Sequence, residues 1–173
     1  MTKLTALIPL DGSPFSRQIV SHVCDLLDPE RYALVLLRVA EPVEGLIAAP
    51  PKPLSAGWLT AMYEHERDLE YANHPIYATQ QEQSERAVIE RELLDEQRQL
   101  TQAGYVVSMV VRFGEPAEQI VTFAEEQAVD LVAMATHGRT GLQHLVLGSV
   151  AADVLRRLTR PLLLVRPSPG EGE

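Results

Sequence analysis

Five short apolar runs recur along the chain, and segments with helical spacing separate them. The runs are Leu4 to Leu10, Tyr32 to Val39, Val106 to Phe113, Leu131 to Ala135 and Leu162 to Val165. Continuous apolar strands are typical of a parallel sheet covered on both faces, because both sides of each strand are then buried. Their alternation with helices predicts right-handed crossovers. We therefore expect a single-domain α/β fold with an open, parallel, five-stranded sheet and helices on both faces.

Helices are predicted after the first and second strands. The first runs from Pro14 to Leu27, with Ser13 as its N-cap and Pro14 at the first helical position. The other is a long surface helix with a charged face, from Gln81 to Ala103, and Gly104 is a suitable stop.

Two further helices follow the third and fourth strands. One opens at the Gly-Glu-Pro corner of residues 114–116. The other opens at Gly148-Ser149 and is stopped by Pro161, and its apolar face is formed by Val150, Val154, Leu155 and Leu158.

Residues 41–80 have no clear period and are rich in proline. We expect one domain over residues 1–167, with an insertion at about residues 41–80 that is more mobile than the sheet, and a flexible tail at 168–173. A helix over Trp58 to Ala72 would be interrupted by Pro75. The insertion is either a lid or partner surface near a ligand, or a solvated segment without a role.

Composition and charge exclude several classes of protein. Cys24 is the only cysteine, so no intrachain disulfide can form and a reducing cytoplasm is expected. A net charge of −9 argues against nonspecific binding to nucleic acid, which needs clustered lysine and arginine. The chain has no long apolar run, so no membrane contact is expected. Without a GxxxxGK[ST] motif there is no P-loop lysine for a phosphate.

The stretch from Asp130 to Val150, DLVAMATHGRTGLQHLVLGSV, is the clearest candidate for binding chemistry. It predicts a buried strand, a glycine loop and a helix. The backbone N–H groups of such a loop can surround an anion, and the positive end of the helix dipole then points at it. Gly138 and Gly148 suit a close approach or a positive φ, and Ser149 can cap the helix and offer a hydroxyl. The alternative is that both glycines are only turn residues.

Other polar residues near these strand ends allow two interpretations each. Asp11 follows the first strand, at the edge where ligands bind in open α/β sheets. It is alternatively a turn residue, because Asp-Gly is a common turn pair. Arg139 lies inside the glycine loop and either pairs with phosphates or is simply solvated. No metal site and no catalytic residue are predicted.

Three runs resemble the universal stress protein family: TALIPLDGSPFSRQIV, ATHGRTGLQHLVLGSVAADVLRR and RPLLLVR. Nucleotide-binding members carry glycine, two residues, glycine, nine residues, and then glycine with serine or threonine. In this chain the pattern falls on Ala135, Gly138, Gly148 and Ser149. Three positions match, and alanine replaces the first glycine.

The resemblance implies strand order 3-2-1-4-5, a Rossmann-like sheet of the adenine nucleotide alpha hydrolase-like type, and a nucleotide between the first and fourth strands. It implies that Pro9 and Asp11 meet the adenosine part and that the backbone at Val39 recognises the adenine edge. The remaining implied contacts are Met134, Ala135, Gly138, Arg139, Gly148, Ser149 and Val150.

The implied function is a cytoplasmic regulatory or stress-response module that binds ATP, ADP or AMP, with or without Mg²⁺. The sequence shows no convincing base beside the glycine loop, so we expect binding and at most slow ATP hydrolysis. The alternative is the branch of the family that lacks nucleotide and acts as a dimeric interaction protein. A homodimer through the last strand, Leu162 to Val165, is expected in either case.

Overall fold

The computed structural model describes residues 3–41, 75–136 and 147–167, with side chains in the second range described from residue 83. The strands are β1 (Leu4–Pro9), β2 (Tyr32–Ala40), β3 (Val106–Phe113), β4 (Leu131–Ala135) and β5 (Leu162–Val165). The helices in these ranges are α1 (Pro14–Arg17), α2 (Ile19–Leu26), α3 (Pro75–Glu92), α4 (Leu94–Gln102), α5 (Pro116–Glu126) and α6 (Ser149–Arg157).

The five strands form one parallel sheet in the order β3-β2-β1-β4-β5. This confirms the predicted fold and strand order. Each strand lies within one residue of its predicted bounds, because an apolar run marks the stretch that is buried on both sides.

The chain divides into two compact units. One consists of Met1–Glu41 and Ile89–Glu173 and contains the sheet; the other is Pro42–Val88. Residues 42–74, which include the predicted helix from Trp58 to Ala72, lie outside the described residues. The tail at residues 168–173 also lies outside them.

Two predicted helices are each divided in the structure. The helix predicted from Pro14 to Leu27 breaks at Gln18, whose N–H donates to the carbonyl of Phe15, three residues back, at 3.3 Å. The helix predicted from Gln81 begins earlier and breaks at Leu93, whose N–H donates to the carbonyl of Glu90 at 3.2 Å. Such three-residue bonds tighten the backbone locally and interrupt the α-helical ladder.

The first face of the sheet, defined as the side covered by α2 and α4, carries one apolar core. Ala6, Ile8, Leu34 and Leu36 of the strands pack there with Ile19, Val20, Val23, Leu93 and Leu100. Tyr105 closes this core between α4 and β3.

The second face, covered by α5 and α6, carries the other core. Leu7, Leu37, Val132 and Met134 pack there with Ala117, Ile120, Val121, Phe123, Ala124, Ala151 and Val154. Leu155 was predicted on the apolar face of the last helix, but it is 52% exposed. Ala151 and Val154 already face the sheet, and one further residue turns the side chain by about 100° toward solvent. None of the helices in the described ranges is long and apolar enough to cross a membrane.

Candidate functional site

The pairing between β1 and β4 ends before either strand does. Its last pair is Leu7 with Val132, although β1 continues to Pro9 and β4 to Ala135. Beyond that pair, β1 remains bonded to β2, and β4 remains bonded to β5. Ligands of open α/β sheets bind outside the carboxyl ends of the strands, where the strand order reverses. The space between the carboxyl ends of β1 and β4, at this edge of the sheet, is therefore the candidate site.

The turn from β1 into α1 lies on one side of this edge. Pro9 is buried at the end of β1, and Asp11 is half-buried. The Oδ1 atom of Asp11 accepts a hydrogen bond from the N–H of Ser13 at 2.9 Å. Ser13 caps α1 as predicted, because its Oγ accepts from the N–H of Ser16 at 3.1 Å. Asp11 thus has a structural role in the turn, and its contact with a ligand stays a prediction.

The backbone of Val39 faces the same edge. The carbonyl of Leu37 accepts from the N–H of Leu10 at 2.9 Å on the β1 side, and the carbonyl of Ala40 accepts from Gly114 at 2.9 Å on the β3 side. Because the backbone groups of successive residues in a strand point to opposite sides, those of Val39 point toward the β1 side. They lie beyond Leu37, where the β1–β2 pairing ends. This direction suits the main-chain role that the family resemblance implies.

Arg38 is a residue that the sequence reasoning missed. Its side chain is only 7% exposed, and its Nη1 donates to the carbonyl of Leu10 at 3.2 Å. Gly12, with a φ of +81°, lies directly over the guanidinium, and a Cβ added there would come within 2.8 Å of Nη1. Nη2 lies 3.7 Å from a carboxylate oxygen of Glu92. The only signal in the sequence is a charged residue near the carboxyl end of the apolar run YALVLLRV.

The other side of the edge is the end of β4 and the base of the glycine loop. Met134 and Ala135 are buried. The N–H of Thr136 donates to the carbonyl of Val165 at 2.8 Å, and the carbonyl of Thr136 accepts from the N–H of Gly148 at 2.7 Å. The second bond closes the base of the loop, so the start of α6 lies at the carboxyl end of β4.

The start of α6 differs from the prediction in two respects. Gly148 and not Ser149 is the N-cap, and glycine has no side chain with which to cap the helix. The φ of Gly148 is −67°, so of the two reasons given for a glycine there, a positive φ does not apply. Any residue can adopt this extended conformation, so what glycine contributes here is the absence of a Cβ.

The first N–H groups of α6 precede its hydrogen-bond ladder. The first bond of the ladder is donated by Ala152 to the carbonyl of Gly148 at 2.9 Å. The N–H groups of Ser149, Val150 and Ala151 therefore lack a carbonyl four residues back within the helix. The first turn contains no acidic residue, so the positive end of the helix dipole is not neutralised there. Ser149 is exposed and Val150 is half-buried.

The predicted residues Gly138 and Arg139 lie outside the described residues. Within the described ranges, no three His, Cys, Asp or Glu side chains are arranged to hold a metal ion. Burial raises the pKa of the Cys24 thiol, and the charge of Asp25 raises it further. Burial also raises the pKa of the Tyr105 hydroxyl, followed by smaller effects of Cys24, Asp28 and Asp25. Both residues belong to the first-face core and not to the strand ends. Among the described residues, the site therefore offers backbone N–H donors and the carboxylate of Asp11.

Curated proteins similar to this chain are universal stress proteins. The sequence profile of the Universal stress protein family matches residues 4–166. The chain is 29% identical to universal stress protein MJ0531 of Methanocaldococcus jannaschii over 163 residues, which cover 92% of this chain and 80% of that protein. It is 36% identical to universal stress protein MJ0577 of the same organism over 69 residues, which cover 40% of this chain and 43% of that protein.

Solved structures have the same fold. The structure of MJ0577 has a TM-score of 0.71 at 21% identity, covering 98% of this chain and 100% of that chain. A universal stress protein in complex with cAMP has a TM-score of 0.58 at 20% identity, covering 97% of this chain and 100% of that chain. Because the family profile spans nearly the whole sequence and the fold agrees, the chain belongs to the universal stress protein family.

Proposed function

We propose that the protein binds ATP, or a related adenine nucleotide such as ADP or AMP, with or without Mg²⁺, and acts as a cytoplasmic regulatory module in stress response. The nucleotide lies at the edge between β1 and β4. Its adenosine part contacts Pro9, Asp11 and Val39. Its phosphates contact the glycine loop and the start of α6, and Met134 and Ala135 line the pocket between them.

One observation carries this proposal. Two segments far apart in sequence, Pro9–Asp11 and Gly148–Val150, follow the neighbouring strands β1 and β4 at the same edge of the sheet. The second segment presents N–H groups at a helix start whose N-cap is a glycine, and such groups favour an anion. A universal stress protein of similar fold has been crystallised with cAMP, which supports an adenine nucleotide as the class of ligand.

Slow ATP hydrolysis and a role as a nucleotide-independent interaction protein are the alternatives. Phosphoryl transfer needs a positioned nucleophile or water and charge neutralisation, usually by a metal ion. The described strand ends place Asp11 in a turn with Ser13 and show no other acid or base between β1 and β4. We therefore propose binding as the main activity.

A homodimer through β5 is part of the proposal. All four residues of this edge strand, Leu162–Val165, are only half-buried, and an edge strand with apolar side chains can pair with a second copy. Leu163→Pro removes an N–H and is expected to shift the sedimentation profile toward monomer. An unchanged profile would mean that the copies associate elsewhere or not at all.

The experiment that tests nucleotide binding is calorimetric titration of ATP into the wild type and Gly148→Val. Because φ at Gly148 is −67°, valine fits the backbone there, and the variant should fold. Its side chain obstructs the approach of phosphates to the first N–H groups of α6. Losing two such contacts costs about 2–3 kcal/mol, or on the order of a hundredfold in affinity.

Ser108→Val is the matched control, because it places the same side chain at an exposed position of the edge strand β3. It should bind ATP like the wild type. If the wild type binds no ATP, ADP or AMP with Mg²⁺ present, the interaction-only alternative replaces the proposal. Equal binding by wild type and Gly148→Val would place the nucleotide elsewhere.

A further inference from the structure

Arg38 is a buried charge in a strand whose neighbouring residues are apolar. It lies between Leu37 and Val39 and is 7% exposed. Removing a guanidinium from water is unfavourable unless it gains close polar contacts in return. Its contact with Glu92, at 3.7 Å to an exposed carboxylate, is long for such compensation. A shorter contact of Arg38, at 3.2 Å, is with the carbonyl of Leu10 in the turn that follows β1.

Those contacts reach the backbone on both sides of Asp11. Nη1 donates to the carbonyl of Leu10 at 3.2 Å, and Gly12 rests against the guanidinium so closely that a Cβ would overlap it. Gly12 also has a φ of +81°, which glycine tolerates better than other residues do. The side chain of Arg38 in β2 therefore contacts the turn on both sides of Asp11 and holds the turn at a fixed distance from β2.

Arg38 also precedes Val39, whose backbone faces the candidate site. Arg38, which contacts the turn, and Val39, whose main-chain groups face the site, are therefore adjacent residues of β2. We expect a shift of the Arg38 side chain to change the position of Asp11 relative to Val39. The start of α6 is positioned independently, because Gly148 bonds to Thr136 at the end of β4.

We propose that Arg38 is a positioning residue for the adenosine half of the nucleotide, acting through the Leu10–Gly12 turn and not through contact with phosphate. This inference rests on the proposed function. It requires that loss of Arg38 weakens every ligand that contains adenosine by the same factor, whatever the number of phosphates. A guanidinium that touched phosphate would instead matter more for ATP than for adenosine.

The test is titration of adenosine, AMP and ATP into wild type, Arg38→Met, Arg38→Lys and Arg112→Met. Methionine fills a similar volume and donates no hydrogen bond, so Arg38→Met should weaken all three ligands about tenfold. Lysine keeps the charge and one donating group, so Arg38→Lys should lose less. Arg112 pairs in register with Val39 from β3 but contacts Glu126, so Arg112→Met is the matched control and should stay within about twofold of wild type.

Amide hydrogen exchange of the ligand-free proteins gives a second measurement. The N–H of Ser13, which bonds to Asp11, should exchange about tenfold faster in Arg38→Met than in Arg112→Met, because the turn opens more often. Unchanged affinities in Arg38→Met, or a larger loss for ATP than for adenosine, would overturn the proposal. If the wild type binds none of the three ligands, the proposed function fails. In that case, equal exchange at Ser13 in the two variants would also reject the positioning role.

Discussion

The two faces of the sheet are built from different kinds of contact. Four of the buried polar residues in the described part of the chain, Ser13, Ser16, Arg38 and Glu96, lie on the first face or on the turn and helix beside it. On the second face, Arg112 pairs with Glu126 and lies over the Phe123 ring, but both charged side chains are partly exposed. The same strands thus form both cores, with polar contacts concentrated on the side that borders the β1–α1 turn.

The difference predicts how each face responds to substitution. In an apolar core, the loss of unfolding free energy on a large-to-small substitution increases with the side-chain volume removed. On the first face the cost depends on which member of a polar pair is removed, because the remaining member keeps its desolvation penalty. On the first face, substituting one or the other member of a polar pair by an apolar residue of similar size should therefore change the free energy of unfolding by strongly unequal amounts.

The largest expected effect comes from the Arg17–Glu96 pair. Arg17 Nε lies 2.6 Å from Glu96 Oε1, and the Glu96 side chain is buried while that of Arg17 is 47% exposed. Within the described residues, Oε2 of Glu96 has no hydrogen-bond partner. Arg17→Met leaves a buried carboxylate without its cation and should lower the free energy of unfolding by about 2 kcal/mol, less than for a fully buried pair because water reaches the site. Glu96→Leu should change it by less than about 1 kcal/mol.

Equilibrium urea unfolding measures both values. The control is Arg98→Met, because Arg98 pairs with Asp95 at 3.4 Å on the exposed side of the same helix and should contribute nothing measurable. If Arg17→Met and Glu96→Leu are equally destabilising, the pair stabilises the fold as a unit, and the proposed asymmetry of the first face is incorrect.

The apolar pattern was sufficient to predict the sheet but not these polar contacts. Strand bounds follow from burial on both sides, which leaves a continuous apolar run. The strand order came from the family resemblance. Arg38 was visible in the sequence, but its role depends on Leu10 and Gly12. Leu10 lies 28 positions away in the chain, and the β1–β2 pairing brings this turn close to Arg38.

Local backbone conformations were the other feature that could not be fully predicted from the sequence. Gly148 matched a glycine motif, but a motif specifies residue type and not φ, and the structure has −67° there. The breaks at Gln18 and Leu93 depend on which carbonyl each N–H reaches, and helical periodicity does not encode that choice. Capping by Ser13 and the helix start at the Gly-Glu-Pro corner were both predictable. Serine is a preferred N-cap residue, and proline is favoured at the first helical position.

A smaller effect is expected from Tyr105, which joins α2 to β3 on the first face. Its hydroxyl donates to the carbonyl of Leu27 and lies 3.2 Å from the carbonyl of Val23, at the end of α2. Tyr105→Phe leaves the Leu27 carbonyl without this donor, and should lower the free energy of unfolding by about 1–2 kcal/mol. Tyr32→Phe, at a half-buried tyrosine of the same face, is the control and should cost less.

The pH dependence of unfolding provides an independent check. Burial, followed by the charges of Cys24, Asp28 and Asp25, raises the pKa of Tyr105 above its ordinary value of 10.0. In the unfolded chain the phenol loses its proton first, so stability is retained below about pH 10 and falls as the pH rises toward the folded-state pKa. The difference between wild type and Tyr105→Phe should therefore narrow above about pH 10. A constant difference would show that ionisation of Tyr105 is not coupled to folding.

The smallest effects compare the ends of one helix from each face. Helix α4 ends with bonds from Tyr105 N–H to Leu100 and from Gly104 N–H to Thr101, at 3.1 and 3.0 Å. Helix α5 ends with the equivalent bonds, from Val129 N–H to Ala124 and from Ala128 N–H to Glu125, at 3.0 and 3.1 Å. Both are Schellman motifs, in which the residue after the C-cap adopts a positive φ.

The residues at that position differ, although the backbone requirement is the same. Gly104 has a φ of +96°, whereas Ala128 has a φ of +47°. A left-handed conformation costs a residue with a Cβ about 1–2 kcal/mol, and a glycine offsets about 0.4–1 kcal/mol of that through the entropy of the unfolded chain. Gly104→Ala should therefore destabilise the protein by about 1 kcal/mol, and Ala128→Gly should stabilise it by about 0.5 kcal/mol. A Cβ at Gly104 would lie 3.6 Å from Pro29, an ordinary contact, so the effect is conformational and not steric. Thermal unfolding of the two variants should shift Tm in opposite directions. Shifts of the same sign would mean that packing against each face, and not the shared helix-end geometry, determines the outcome.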